Sequence, residues 1–262
     1  MEPSAIGREG AAARVNDVVE RVTEAARQFL AGRRVVLAGL PVAAATRFVG
    51  LLRRLRSDPW VAVGLTLGAG ELPGITPPTP PARMETASGA VLRRARPSDA
   101  DAFARAVAEN LDHLGPWMPW ATPAAADAAV QRERLVAADA TWHDGSDYEF
   151  AVLTADERQL IGGCGLMRRI GPGGIEIGYW VHVAHTRRGH ATAAALALTE
   201  AAWTLPGVER VEIHCDEANV ASRAVPVRLG YRLDRIDDVG ATAPGETGRS
   251  MIWIAERSGG PD

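Results

Sequence analysis

The sequence predicts an α/β fold: one mixed, mostly antiparallel sheet flanked by helices, preceded by a small β-α-β-like segment. Three observations predict it. Short apolar runs of strand length alternate with four helical patterns in the second two thirds of the chain. One stretch, "ELPGITPPTPPARMETASG" (residues 71–89), carries five prolines, which forbid regular structure and favour a stiff, extended connection. The composition, 47% hydrophobic and 23% charged over 262 residues, is that of a globular protein with room for one large domain or two small ones.

The elements follow in order. Residues 15–30 carry apolar side chains close to helix spacing. "RRVVLAGL" then reads as a buried strand, "PVAAATRFVGLLRRL" as a helix with proline in its first turn, and "WVAVGLTLG" as a second strand. Such a unit can open a nucleotide-binding fold, but "GLPVAAAT" lacks the second and third glycines of the dinucleotide fingerprint. The alternative is a segment that packs on the main domain, since about 70 residues is thin for an independent doubly wound fold. The expected division is therefore 1–70 as a small α/β segment, 71–89 as a linker and 90–262 as the main domain.

After the prolines "VLRRA" is a strand, and "PSDADAFARAVAENL" a helix opened by Ser98 with Asp101 completing a capping box. "GPWMPWA" is a loop, and Pro123 to about Ala140 a second helix. "YEFAVLT" and "QLIGGCGLMRRI" form a hairpin around "ADER", and "GPGG" turns the chain into "IEIGYWVHV". A helix beginning near His190, the strand "VERVEIHCDE", a helix from Asn219 to Leu229 and the strands "YRLDRID" and "SMIWIAE" complete the chain.

Composition also excludes functions. A net charge of −3 argues against nucleic acid as the main partner. All 29 basic residues are arginine, which removes a phosphate-binding lysine of the Walker type and any Schiff-base chemistry. Cys164 and Cys215 form no metal pattern with the histidines, so a reduced pair and no metal are expected. No apolar run approaches the ~18 residues of a membrane span, and the N-terminus carries charges where a signal peptide is apolar; a cytoplasmic protein is expected.

Two stretches carry chemistry. In "HTRRGHATAAALALTEAAW" positive charge and one glycine stand immediately before a long apolar helix. The first turn of such a helix exposes unpartnered N–H groups, which with the helix dipole make a phosphate site. In "CDEANVASRAVPVRLGYR" Asn219 is placed to cap a helix starting at Val220, and Pro226 lies inside that helix. Together with "IEIGYWVH" and "LGPWMPW", in this order and spacing, these stretches resemble the GNAT acetyl-CoA-dependent N-acetyltransferases, in the branch of ribosomal-protein N-terminal (Rim-type) acetyltransferases. The resemblance covers about residues 91–256.

It implies acetyl-CoA as acetyl donor, with the pyrophosphate on Arg187, Arg188, Gly189, His190, Ala191 and Thr192. The family's loop usually begins with Gln or Arg three residues before the glycine, where this chain has Thr186. The resemblance also lays Asn219 along the pantetheine arm and sets Ser222 facing the departing sulfur, where the alternative is a serine favoured in a first turn by local hydrogen bonding. A strand amide near Val181 or Val183 is expected to hold the thioester oxygen. Glu176, facing opposite to Ile175 and Ile177, is the candidate base; a salt-bridged strand glutamate is the alternative, and His182 the competing base. Trp117, Met118, Trp120 and Tyr179 are the candidate acceptor wall, the alternative for the tryptophans being a plug between helices. The expected partners are acetyl-CoA and an amine acceptor, a peptide N-terminus or a small amine, with a homodimer left open. A non-catalytic acyl-CoA sensor and a fragment of a nucleotide-dependent ligase are the competing readings.

Overall fold

The computed structural model describes residues 78–257. The elements expected between residues 15 and 68, and the first part of the proline-rich stretch, lie outside the described residues. The chain divides into two units at this point, and the described residues belong to the one that begins at Pro78.

Eight strands form one sheet: β1 (Arg83–Glu85), β2 (Val91–Arg94), β3 (Asp147–Leu153), β4 (Leu160–Met167), β5 (Gly174–Val181), β6 (Arg210–Asp216), β7 (Arg232–Asp238) and β8 (Arg249–Glu256), in the order β1-β2-β3-β4-β5-β6-β8-β7. Every pairing is antiparallel except β5 with β6. The helices are α1 (Ala100–Ala108), α2 (Leu111–Leu114), α3 (Ala128–Asp144), α4 (His190–Thr204) and α5 (Val220–Arg228). The mixed, mostly antiparallel sheet with flanking helices is the architecture expected.

Three local expectations are corrected. Arg83–Glu85 lies within the stretch expected to be a linker, yet it forms β1, in register with Val91–Arg93 of β2. The prolines all precede it, so nothing from Arg83 onward prevents pairing. Residues 97–114 form a 3-10 turn, α1 and α2 instead of one helix. The carboxylate that caps this segment is Asp99, which accepts from the Arg96 amide at 2.8 Å, and not the expected pair Ser98 and Asp101. The helix expected from Pro123 is a 3-10 turn at Pro123–Ala126 followed by α3, whose true cap is Asp127, accepting from the amides of Ala129 and Val130.

The core has two parts. On one face α4 and α5 bury Ala194, Ala195, Leu198, Ala202 and Val225 against Phe150, Leu166, Ile175, Ile177, Val211 and Ile213. The small residues of α4 let its backbone lie close to the sheet. On the other face Phe103, Ala106 and Leu135, from α1 and α3, meet Ala151, Leu153 and Leu160.

The register of β5 positions the site. It pairs with β4 from Val181↔Gly162 to Glu176↔Met167, but with β6 only at Gly174↔Arg210, Ile175↔Val211 and Glu176↔Glu212. β6 continues to Asp216 along β8. Beyond Glu176 the two strands part, and the far half of β5 borders a gap. The apolar side of this region depends on a glycine: a side chain on Gly163 would begin 2.7 Å from Trp180 Nε1, so only glycine lets the indole lie across β4.

Candidate active site

α4 begins where its sequence changes character. Gly189 is the N-cap at φ +80°, and Arg187 also has positive φ, +60°. Only glycine adopts that conformation without strain. The first bond of the helix runs from Ala193 N to Gly189 O at 2.9 Å, so the amides of His190, Ala191 and Thr192 have no helical acceptor. Arg187, Arg188 and Gly189 are exposed, and nothing stands within 4 Å of where a Gly189 side chain would begin. This is an open cradle of N–H groups with two guanidiniums beside it, which suits a pyrophosphate. Thr186 turns its hydroxyl inward to Val183 O at 2.9 Å, closing the preceding turn. His190 is tied to Ser88 Oγ at 2.8 Å, and burial together with Arg188 holds His185 and His190 below the ordinary imidazole range.

Hydrogen bonding alternates along an antiparallel strand. His182 N donates to Ile161 O at 2.9 Å, so in the continuous β4–β5 register the even-numbered residues of β5 face β4. Tyr179 and Val181 therefore turn their N–H and C=O groups into the gap left by β6. An extended acyl arm laid there gains a strand's hydrogen bonds and an amide for a developing oxyanion. The Val181 amide faces the gap, as its expected role requires. Val183 does not: its amide donates to Asn110 Oδ1 at 2.6 Å and its carbonyl accepts from Thr186.

Across the gap, Asn219 caps α5 as expected, its Oδ1 accepting from Ser222 N at 3.0 Å. The Ser222 carbonyl has lost its helical partner because Pro226 carries no N–H. The Tyr179 hydroxyl donates to that carbonyl at 3.1 Å and lies 3.2 Å from Ser222 Oγ. Burial pushes the Tyr179 phenol up, so it stays protonated. Cys215 also lines this region, its thiol pushed up to about 11 by burial.

A cleft of about 700 Å³ runs from this point over the sheet, lined by Trp117, Met118, Trp120, Tyr179 and Trp180, by Glu176 and Arg169, and by Asn219, Ser222 and Glu246. Trp120 is 44% exposed, with its ring 6.1 Å from that of Trp180, so it forms a cleft wall and not an interior plug. The loop carrying Trp117 is held to the β7–β8 loop, where Gly245 N donates to Pro116 O at 2.8 Å. A side chain on Gly245 would meet that oxygen at 2.6 Å.

Glu176 is buried and lines the cleft, but Arg169 donates to both of its oxygens, at 2.7 and 2.6 Å. His214 Nδ1 lies 4.0 Å away, and its Nε2 is 2.6 Å from Glu212. His182, the competing base, has no free nitrogen: Nδ1 accepts from Ala184 N at 3.2 Å, so Nε2 carries the proton toward Glu109 at 2.9 Å. It does not line the cleft. Its burial and its bond to Glu109, at the end of α1, make it a structural clasp.

Sequence reasoning missed Arg169, Trp180, Asn110 and Glu246. Of these Arg169 had a signal, since a hairpin between β4 and β5 brings it back beside Glu176. Glu246 had none. Its Oε2 accepts from Thr242 N, Thr242 Oγ1 and Ala243 N, and among the described residues nothing bonds Oε1. Among the described residues no three His, Cys, Asp or Glu side chains gather as a metal site, and no helix is long and apolar enough to cross a membrane.

Residues 90–232 match the family model for the acetyltransferase (GNAT) domain. The Bacillus subtilis protein YdaF, named as a ribosomal N-acetyltransferase, is 30% identical over an alignment of 148 residues that covers 53% of this chain and 76% of that one. Among solved structures, the ribosomal L7/L12 alpha-N-protein acetyltransferase RimL, in complex with coenzyme A, superposes with a TM-score of 0.60 at 19% identity, over 66% of this chain and 97% of RimL. RimJ of Mycobacterium smegmatis, in complex with CoA-disulfide, gives 0.58 at 23%, over 66% and 85%. The microcin C7 self-immunity acetyltransferase MccE, with acetyl-CoA and AMP, gives 0.60 at 16%, over 68% and 97%. At such identities these structures speak for the fold alone.

Proposed function

Because this chain belongs to the acetyltransferase (GNAT) domain family, we propose that it moves an acetyl group from acetyl-CoA directly to a primary amine, a peptide N-terminus or a small amine, held in the cleft beside Trp117, Met118 and Trp120. The observation that carries the reading is the parting of β5 from β6. It leaves the amides of Tyr179 and Val181 facing the gap, and Tyr179 reaches Ser222 at the cleft, while the open amides of α4 supply a phosphate site. The donor supplies an acetyl group already activated as a thioester; everything else asked of the protein is binding, orientation and handling of protons.

The α4 amides with Arg187 and Arg188 hold the pyrophosphate, and Asn219 lies along the pantetheine arm. The Val181 amide receives the charge that develops on the carbonyl oxygen. Ser222 faces the sulfur. The cleft sets five carboxylates, Asp147, Glu149, Glu176, Asp216 and Glu246, against two guanidiniums, Arg134 and Arg169, an excess that attracts an ammonium group. That ammonium, with a pKa of about 8 for an α-amino group, must lose a proton before it can attack. Glu176 is the base in this reading. Glu246 is the second candidate, favoured by an oxygen that nothing bonds among the described residues, whereas Arg169 occupies both oxygens of Glu176.

The test is release of CoA thiol from acetyl-CoA across a panel of N-terminally free peptides, the same peptides blocked at the N-terminus, polyamines and aminoglycosides. Turnover confined to acceptors with a free amine is the expected result. Tight acetyl-CoA binding with no turnover on any acceptor would leave an acyl-CoA sensor in place of an enzyme acting on amines.

A further inference from the structure

We propose that Tyr179 is a positioning residue that acts through Ser222, holding the serine oxygen in place and supporting its hydroxyl when that turns to the sulfur that leaves the acetyl group. The inference rests on the reading of Ser222 as the sulfur's partner. It starts from Pro226. A proline at that position of α5 deprives the part-buried Ser222 carbonyl of its helical donor and leaves it open to another. The Tyr179 hydroxyl, arriving from β5, is that donor at 3.1 Å.

A phenol has one proton to give. While it serves the carbonyl, its oxygen can only accept from Ser222 Oγ, 3.2 Å away. The serine hydroxyl is thereby held in one of its rotor positions on the sheet side of α5, the side on which the gap opens. When the amine nitrogen bonds to the acetyl carbon and the C–S bond breaks, the bonding pair leaves on sulfur and the amine's surplus proton passes to a cleft carboxylate or water. The Ser222 O–H turns to the sulfur as a hydrogen-bond donor, and the Tyr179 O–H turns from the carbonyl, left to solvent at this half-buried residue, to donate to Ser222 Oγ. Neither hydroxyl surrenders its proton; burial strengthens the hold of the phenol on its own. The thiolate is completed by a proton from solvent once it is free. The pair thus stabilises a leaving anion by a relay of two hydrogen bonds.

Three variants test this: Tyr179→Phe, Ser222→Ala and the double variant, each assayed for kcat and KM, and each titrated with CoA bound while thiolate absorbance is followed. The expected result is a kcat lower by about tenfold in Tyr179→Phe, with KM for acetyl-CoA unchanged, and a double variant no slower than Ser222→Ala alone. In addition the thiol of bound CoA should ionise at higher pH in both single variants than in the wild type, a readout that needs no acetyl transfer. If the two losses multiply, or if Tyr179→Phe is slow while Ser222→Ala keeps wild-type kcat, Tyr179 acts independently and the proposal fails. If Ser222→Ala is slow and Tyr179→Phe retains wild-type kcat and thiol ionisation, the proposal fails while the reading of Ser222 stands. Wild-type behaviour of both single variants removes the two together.

Discussion

Glu176 and Glu246 show how much a residue's role depends on what already occupies its lone pairs. A carboxylate offers about four acceptor positions. Arg169 takes one on each oxygen of Glu176, fixing its direction, whereas the backbone and Thr242 place three donors on a single oxygen of Glu246. The two separate by pH profile. In the variant that has lost the base, the deficit should be largest near pH 6.5 and shrink as the pH passes about 8, because the α-amine then deprotonates unaided. Glu176→Gln is expected to show this shape, with a loss of about 10² at the acid end, and Glu246→Gln a flat, smaller loss. The reverse pattern transfers the role to Glu246, and a wild-type profile in both leaves a water chain as the base. Asn110, by contrast, is wholly structural: buried, it accepts from Val183 N and donates to Ala106 O, each at 2.6 Å.

At the scale of elements, the helix start at Gly189 does the most with the fewest side chains. Its positive φ makes any other residue cost about 1–2 kcal/mol in backbone strain, yet the space around it is empty. Gly189→Glu should therefore leave a folded protein, while the new carboxylate faces the phosphates and the strained turn misdirects the amides. Acetyl-CoA affinity is expected to fall by at least about 10²-fold; calorimetry showing unchanged affinity in a folded variant would move the pyrophosphate elsewhere. This cradle was legible in the sequence because it is local: a glycine, two arginines and a helix start lie within a few residues. The same holds for the Asn219 cap and for the strands, whose apolar periods are short-range patterns. What the sequence did not show comes from contacts across long separations. The Asn110–Val183 and Glu109–His182 bonds join residues 73 apart, and they are what turned Val183 and His182 from candidate site groups into structural ones. Likewise β1 went unseen because a three-residue strand has no period of its own and exists only by its register with β2.

At the scale of the whole molecule, the question is where the functional unit begins. The compact unit starts at Pro78, and β1 within it covers the free edge of β2, with Thr86 and Ala90 closing the connecting turn through a 2.9 Å backbone bond. That turn also carries Ser88, which holds His190 in the first turn of α4. The hairpin therefore links the sheet edge to the phosphate cradle, and a boundary placed at residue 90 would cut it away. A chain truncated to begin at Pro78 should fold, bind acetyl-CoA with the affinity of the full chain and keep its turnover. A chain beginning at Ala90 should lose stability, since β2 becomes an exposed edge; the loss of the exposed Arg83–Glu157 pair is minor beside the lost strand. Its acetyl-CoA affinity should fall as well, because His190 is released. Thermal melts and calorimetry on the two truncated chains against the full one decide the matter. Equal behaviour of both would show that β1 and Ser88 are dispensable, and loss of folding in both would show that the unit needs residues before Pro78.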